Sequence, residues 1–308
     1  MTLDELAVAA SRESPAPAPA WAWGCFRRRS IVYATGQEDT GARVVRLQGQ
    51  GMAGVLRVPA WRPAVSHRAG LHDCTVEELL ELGGVEGGVA ESAWSGDAMS
   101  WECGSSFQPY DKWPETSVLQ RVGSSLIETA PSGAYVQDWR LQPGSGGLLA
   151  GLRLMFETGT DGLTRPRDGG LVICGEHCLF SLDRRRPLPS EQPVQQQMRL
   201  AGDPYAFADM AFDAETAYAR RQADGGYQVE FSTNPFHEGQ VVPVTDGFLQ
   251  TSISGVLRQQ VGEGACRIVR QWRIDTLIAD AVIGPVTEHD KAAATWLKRE
   301  GKTLLRGL

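Results

Sequence analysis

The sharpest chemical candidate in the sequence is the stretch Asn234-Pro-Phe-His237-Glu238-Gly239. An imidazole titrates near neutral pH, and a carboxylate beside it on a loop makes an acid–base pair that could move a proton. A solvated loop histidine beside a solvated glutamate would be written the same way. The second candidate is an aromatic set: Trp101, Tyr110, Trp113, Tyr135 and Trp139 in the first half of the chain, and Tyr227, Phe231, Phe236 and Trp272 in the second. Strand alternation puts Tyr135, Gln137 and Trp139 on one face, and Arg270 on one face with Trp272. Aromatic walls interrupted by a few polar groups are what a small-molecule pocket requires. Tryptophans in a filled core would serve only as apolar bulk, and Gln137 and Arg270 are odd choices for such a core.

Other chemistries find less support. Cys174-Gly-Glu-His177-Cys178 and the group His67, His72, Cys74 contain ligand-type residues, but no second Cys/His pair of zinc-site spacing accompanies either. No metal and no cofactor is expected. There is no Gly-x-Ser-x-Gly elbow, no phosphate-binding loop ending in Lys-Ser/Thr and no dinucleotide fingerprint. The runs Arg27-Arg-Arg29 and Arg184-Arg-Arg186 read as solvated strand ends, or as seats for an anionic head group. Glu102 and Asp138 alternate with Trp101 and Trp139, so they should point outward, toward partners such as Arg140 or Arg121.

These residues need a scaffold, and the composition describes one. The 308 residues carry a net charge of −7 and are 42% hydrophobic and 22% charged, an ordinary soluble mixture. An acidic chain has no general attraction for nucleic acid or anionic membrane, and neither is expected as a partner. No apolar run approaches the ~20 residues that span a bilayer. Residues 1–20 begin acidic and end in alternating Pro-Ala, which reads as a fraying arm and not as a secretory signal. A cytoplasmic location with six unpaired cysteines follows. A homodimer is left open.

The chain repeats itself. Trp101 and Tyr227, Pro109 and Pro235, Tyr110 and Phe236, and Gly49 and Gly175 are each 126 residues apart, while Trp139 and Trp272 are 133 apart. A half-chain period points to two copies of one domain. Strands are expected over 30–34, 44–47, 54–58, 97–103, 118–122, 125–129 and 134–141. In the second half they are expected over 148–157, 171–174, 178–183, 198–200, 206–212, 216–221, 226–232, 248–257 and 266–277. Turn signals separate them about every ten residues, as in antiparallel barrels or sandwiches. Acidic residues before Leu79-Leu80-Glu-Leu82-Gly predict a short helix, and residues 287–308 read as an amphipathic one. The divisions are 1–20, an arm; 21–146 and 147–280, two similar domains; and 281–308, the terminal helix.

The order of landmarks is an N-terminal Trp with following arginines, Asp39-Thr40, Leu56-Arg-Val-Pro59, Trp101, Pro109, Ile127-Glu128, and Tyr135-Val-Gln-Asp-Trp139-Arg140. It resembles a largely uncharacterised group of duplicated lipocalin-like, calycin-type proteins that includes the HRI1 family, over most of residues 21–275. Glycines at 49–54 depart from that family's strand wording. The resemblance implies an all-β protein of two tandem lipocalin-like antiparallel β-barrels related by internal duplication. It implies no reaction. The expected function is binding of a small apolar or aromatic molecule in a barrel. The alternatives are a cofactor-independent isomerase, cyclase or lyase of small-molecule biosynthesis using His237 and Glu238, and a surface interaction module with filled barrels.

Overall fold

The computed structural model describes all residues except 16, 66, 111–114, 243–245, 263, 265–266, 289–294, 296–298 and 300–308, and the side chain of Cys103. Trp113, Cys266 and most of the expected C-terminal helix therefore lie outside the described residues.

The first half folds into strands β1 (Gly24–Tyr33), β2 (Glu38–Asp39), β3 (Arg43–Gln48), β4 (Met52–Val58), β5 (Glu86–Ser95), β6 (Ala98–Ser106), β7 (Ser117–Val122), β8 (Ser125–Thr129) and β9 (Tyr135–Leu141). All neighbours are antiparallel, and β9 returns to β1 from Tyr33↔Tyr135 to Phe26↔Leu141. Leaving aside the two-residue β2, which only extends the edge of β1, this closes an eight-stranded barrel. Side chains of each strand alternate between lumen and exterior. The weakest ladder joins β6 to β7, with only Ala98↔Val118 and Met99↔Ser117 in register.

The second half supplies β10 (Gly147–Thr158), β11 (Thr164–Cys174), β12 (His177–Leu182), β13 (Glu215–Arg221), β14 (Tyr227–Ser232), β15 (Phe248–Gln250), β16 (Val256–Val261) and β17 (Ile268–Ala281). Its order is β14-β13-β12-β11-β10-β17-β16-β15. The expectation of a second closed barrel is corrected here: among the described residues no ladder joins β14 to β15, and the sheet is open. β15 has three residues and, among the described residues, pairs only with β16, and a helix occupies the concave face.

That helix is α1 (Leu3–Ala9), inside the arm expected to fray. Thr2 and Glu5 form a reciprocal capping box, satisfying orphan N–H groups at both ends of the first turn. Leu3, Leu6 and Ala7 are buried against Leu148, Ala150, Tyr227, Phe248, Leu257 and Trp272. Beyond it, Arg12 pairs with Leu277, and Ser14 donates to Asp275 (2.8 Å) while its N–H meets Gln50 (2.6 Å).

Three further helices, α2 (Val76–Leu82), α3 (Val194–Leu200) and α4 (Pro204–Ala211), form one apolar cluster with Phe107 and Phe212. Residues 198–200 and 206–212 were expected as strands. Asp203 instead accepts from the N–H groups of Tyr205 and Ala206, and Pro204 starts the helix. Gln108 locks the cluster to the barrel, donating to Gly83 and Val85 carbonyls and accepting from Val194 N–H.

The two sheets meet outer face to outer face. Val45, Leu47, Leu56 and Val58 pack on Leu149, Val172, Leu179 and Tyr218. Gly54 belongs to this seam: a Cβ there would come 2.3 Å from Leu179 Cδ2. The glycine therefore permits close sheet contact and does not enlarge the lumen.

Candidate functional site

The closed barrel encloses a cavity of about 420 Å³, within the range of small-molecule sites. All eight barrel strands contribute to its wall, with Tyr33, Trp101, Tyr110, Tyr135 and Trp139 as aromatic panels and Val44, Val55 and Ala90 between them. Strand alternation accounts for this. Tyr135, Gln137 and Trp139 all face inward from β9, as their spacing predicts, and Asp138 turns away to meet Arg140 at 3.2 Å.

The base of the wall is organised around Glu128 of β8. Its carboxylate accepts from Ser117 Oγ (2.8 Å), Tyr135 OH (3.3 Å), Trp139 Nε1 (3.0 Å) and Arg46 Nη1 (3.2 Å). Arg46 also donates to Gln48 and to the Met99 thioether, and its guanidinium lies 5.7 Å from the Trp101 ring. Burial lowers the Arg46 pKa, an effect that the facing Glu128 only partly offsets. Burial, and then the Glu128 charge, raise the Tyr135 phenol well above its ordinary range, so it stays neutral.

Nearer the helix cluster the wall carries two more arginines, each with an acid. Arg28 meets Asp39 at 2.8 Å and donates to Gln137 at 3.4 Å. Arg57 meets Glu86 at 3.2 Å and Asp39 at 3.7 Å. Burial would raise Asp39, but the N–H groups of Ala42 and Gly41, then Arg28 and Arg57, bring it below the usual carboxylate value. Tyr110 is raised by burial and by Glu86.

The remaining sequence candidates are dispersed. Tyr227 and Trp272 are buried in the filled half, where Trp272 Nε1 donates to Gln259 (3.0 Å) and Tyr227 OH to the Gly175 carbonyl (2.7 Å). Phe231 is in the seam, 5.0 Å from the Tyr218 ring, and Phe236 packs on the helix cluster. Arg270 pairs with Glu157 at 3.2 Å, a carboxylate that also holds Arg167 at 2.7 Å and Arg185 at 3.0 Å.

His237 and Glu238 do not act on each other. His237 Nδ1 meets Glu215 at 2.8 Å, a bond that raises its pKa, and Glu238 is held by Arg62 at 2.6 Å. Neither lines the lumen. His72 meets Asp209 at 2.9 Å, and His177 is enclosed between Tyr218 OH and the Pro143 carbonyl, both at 2.8 Å. Among the described residues no three metal-ligating side chains converge, and no helix is long and apolar enough to cross a membrane.

Sequence reasoning passed over Arg46 and Glu86, gave Arg28 only as part of a basic run, and gave Arg57 and Glu128 only as landmarks of the resemblance. A signal existed for Arg46: in Val44-Val-Arg46-Leu-Gln48 it shares a face with Val44 and Gln48. Glu128, between Ile127 and Thr129, carries no comparable mark.

No family model and no curated protein matches the chain. Among solved structures it is similar to an uncharacterized protein, YLR301w, of Saccharomyces cerevisiae, at 9% identity and a TM-score of 0.49, covering 83% of this chain and 99% of that one.

Proposed function

We propose that this protein binds a small apolar or aromatic metabolite in the lumen of the closed barrel. The observation that carries the reading is the aromatic-walled cavity of about 420 Å³, to which every barrel strand contributes. A binding role is favoured over a catalytic one because Glu128 already accepts four hydrogen bonds and His237 lies off the lumen. The common strand order of the two halves, with helices inserted after the third strand of each, supports reading them as copies of one lipocalin-like unit.

The test is tryptophan fluorescence of the purified chain against a panel of aromatic compounds, repeated on Trp101→Phe and Trp272→Phe. Saturable quenching that is weakened in the first variant and intact in the second is the expected result. Quenching lost only in Trp272→Phe would move the site to the other half, and no response to any compound would sink the proposal.

A further inference from the structure

We infer that the lumen is built for an uncharged aromatic molecule, and that the Arg57–Glu86 pair at its wall is what turns away an acid. This rests on the lumen being a binding site. Six charged side chains line the cavity: Arg28, Arg46, Arg57, Glu86, Glu102 and Glu128. Every arginine among them has a carboxylate within 3.7 Å or closer: Asp39 for Arg28, Glu128 for Arg46, and Glu86 with Asp39 for Arg57. Glu102 is exposed to water, which hydrates its charge.

A charged ligand entering this space loses hydration and, the water-exposed Glu102 aside, meets no counter-charge that is not already engaged. A carboxylate brought to Arg57 would have to displace Glu86 or lie against it, and one brought to Arg46 would meet Glu128. An amine would face the arginines in the same way. An uncharged ring incurs none of these costs and stacks on Trp101, Tyr110 or Tyr135. Of the three pairs, Arg57–Glu86 is the one whose disruption the fold should tolerate. Their side chains are 21% and 28% exposed, against 3% and 7% for Arg46 and Glu128.

The experiment compares three probes of one skeleton by isothermal titration calorimetry with the full chain: 2-naphthamide, naphthalene-2-carboxylate and naphthalen-2-ylmethylammonium. The wild type should bind the amide at least tenfold more tightly than either ion. Glu86→Gln, which leaves Arg57 under-neutralised, should narrow or reverse the amide-to-carboxylate ratio by tenfold without improving the amine. Circular dichroism shows that the variant is folded, and Glu191→Gln, removing an exposed charge away from the cavity, should leave the ratio unchanged.

Equal or tighter binding of the carboxylate by the wild type overturns the inference while leaving the lumen as a site. An unchanged ratio in folded Glu86→Gln removes the role given to that pair. If none of the three probes binds, the lumen reading falls and takes this one with it.

Discussion

The two halves connect their strands in the same way and use the result differently. In the first, the ladder closes around a hollow lumen; in the second, the ladder that would join β14 to β15 is missing among the described residues, and α1 fills the concave face. The equivalent ladder in the first half, β6 to β7, is only two residue pairs long. The same place in the plan is thus the weak point of both. A sheet can stay hollow if its edges meet, because the walls then satisfy each other's backbone groups. A sheet that stays open must bury its apolar face against something else, and here the chain's own first helix supplies it.

A pair of hydrogen bonds shows the same divergence at atomic scale. Trp139 donates its indole N–H to Glu128, and Trp272, in the matching strand, donates to Gln259. Beside the hollow, the acceptor is a charge facing Arg46; inside the filled half it is a neutral amide. A carboxylate is retained where a cation and three other donors surround it.

The largest expected effect comes from emptying the filled half. Leu3→Ala with Leu6→Ala removes two side chains that are each 1% exposed and should cost about 5 kcal/mol, read from urea denaturation. A loss below about 1 kcal/mol would mean that α1 is ornament and that the comparison is wrong.

Next comes the seam histidine. Burial lowers His177 from its ordinary 6.5 to about 4, so the folded state holds it neutral while the unfolded chain takes up a proton. Its contribution is complete above pH 6.5 and is lost as pH falls through about 4, a swing of about 3 kcal/mol. In His177→Gln the pH profile of stability should be flatter over that window, and an identical profile would contradict the assignment.

The two tryptophans sharpen the comparison directly. Trp139→Phe should cost about 2 kcal/mol, because a charged acceptor loses a donor, and Trp272→Phe about 1 kcal/mol, because only an amide does. Equal losses would remove the distinction drawn between Glu128 and Gln259. The smallest effect on stability should come from Val55→Trp, which places bulk in an existing hollow and should change unfolding by no more than about 1 kcal/mol. Calorimetry on that variant should show ligand binding abolished.

Much of this was legible in sequence where a local rule governed. Alternation placed Tyr135, Gln137 and Trp139 on one inner face and sent Asp138 outward to Arg140. Glycine and acidic signals located α2, and the 126-residue spacing matched the β3–β4 turn at Gly49 to the β11–β12 turn at Gly175.

What escaped was of two kinds. Thr2-Leu-Asp-Glu5 and Asp203-Pro204 are helix start signals set close to prolines and within β-type composition, which mask them. The lumen charges were hidden for a deeper reason. Each is acceptable inside only because of a partner on another strand, 11 residues away for Arg28 and Asp39, 29 for Arg57 and Glu86, and 82 for Arg46 and Glu128. No spacing rule brings such a pair together. The helix insertion had the same character: its docking face on β10 and β17 is defined by residues from the opposite end of the chain.

The position of α1 has a consequence for the order in which the protein comes into being. A ribosome makes residues 3–12 well before β17, yet Arg12 pairs with Leu277 and the Met1 nitrogen meets the Phe248 carbonyl. The closed barrel needs nothing beyond Leu141 to complete its ladders and can form while the rest emerges. The segment carrying α1 must wait until β10 and β17 have been made for its binding surface. During that interval its leucines are exposed, and the folding event that docks them joins parts of the chain made far apart in time.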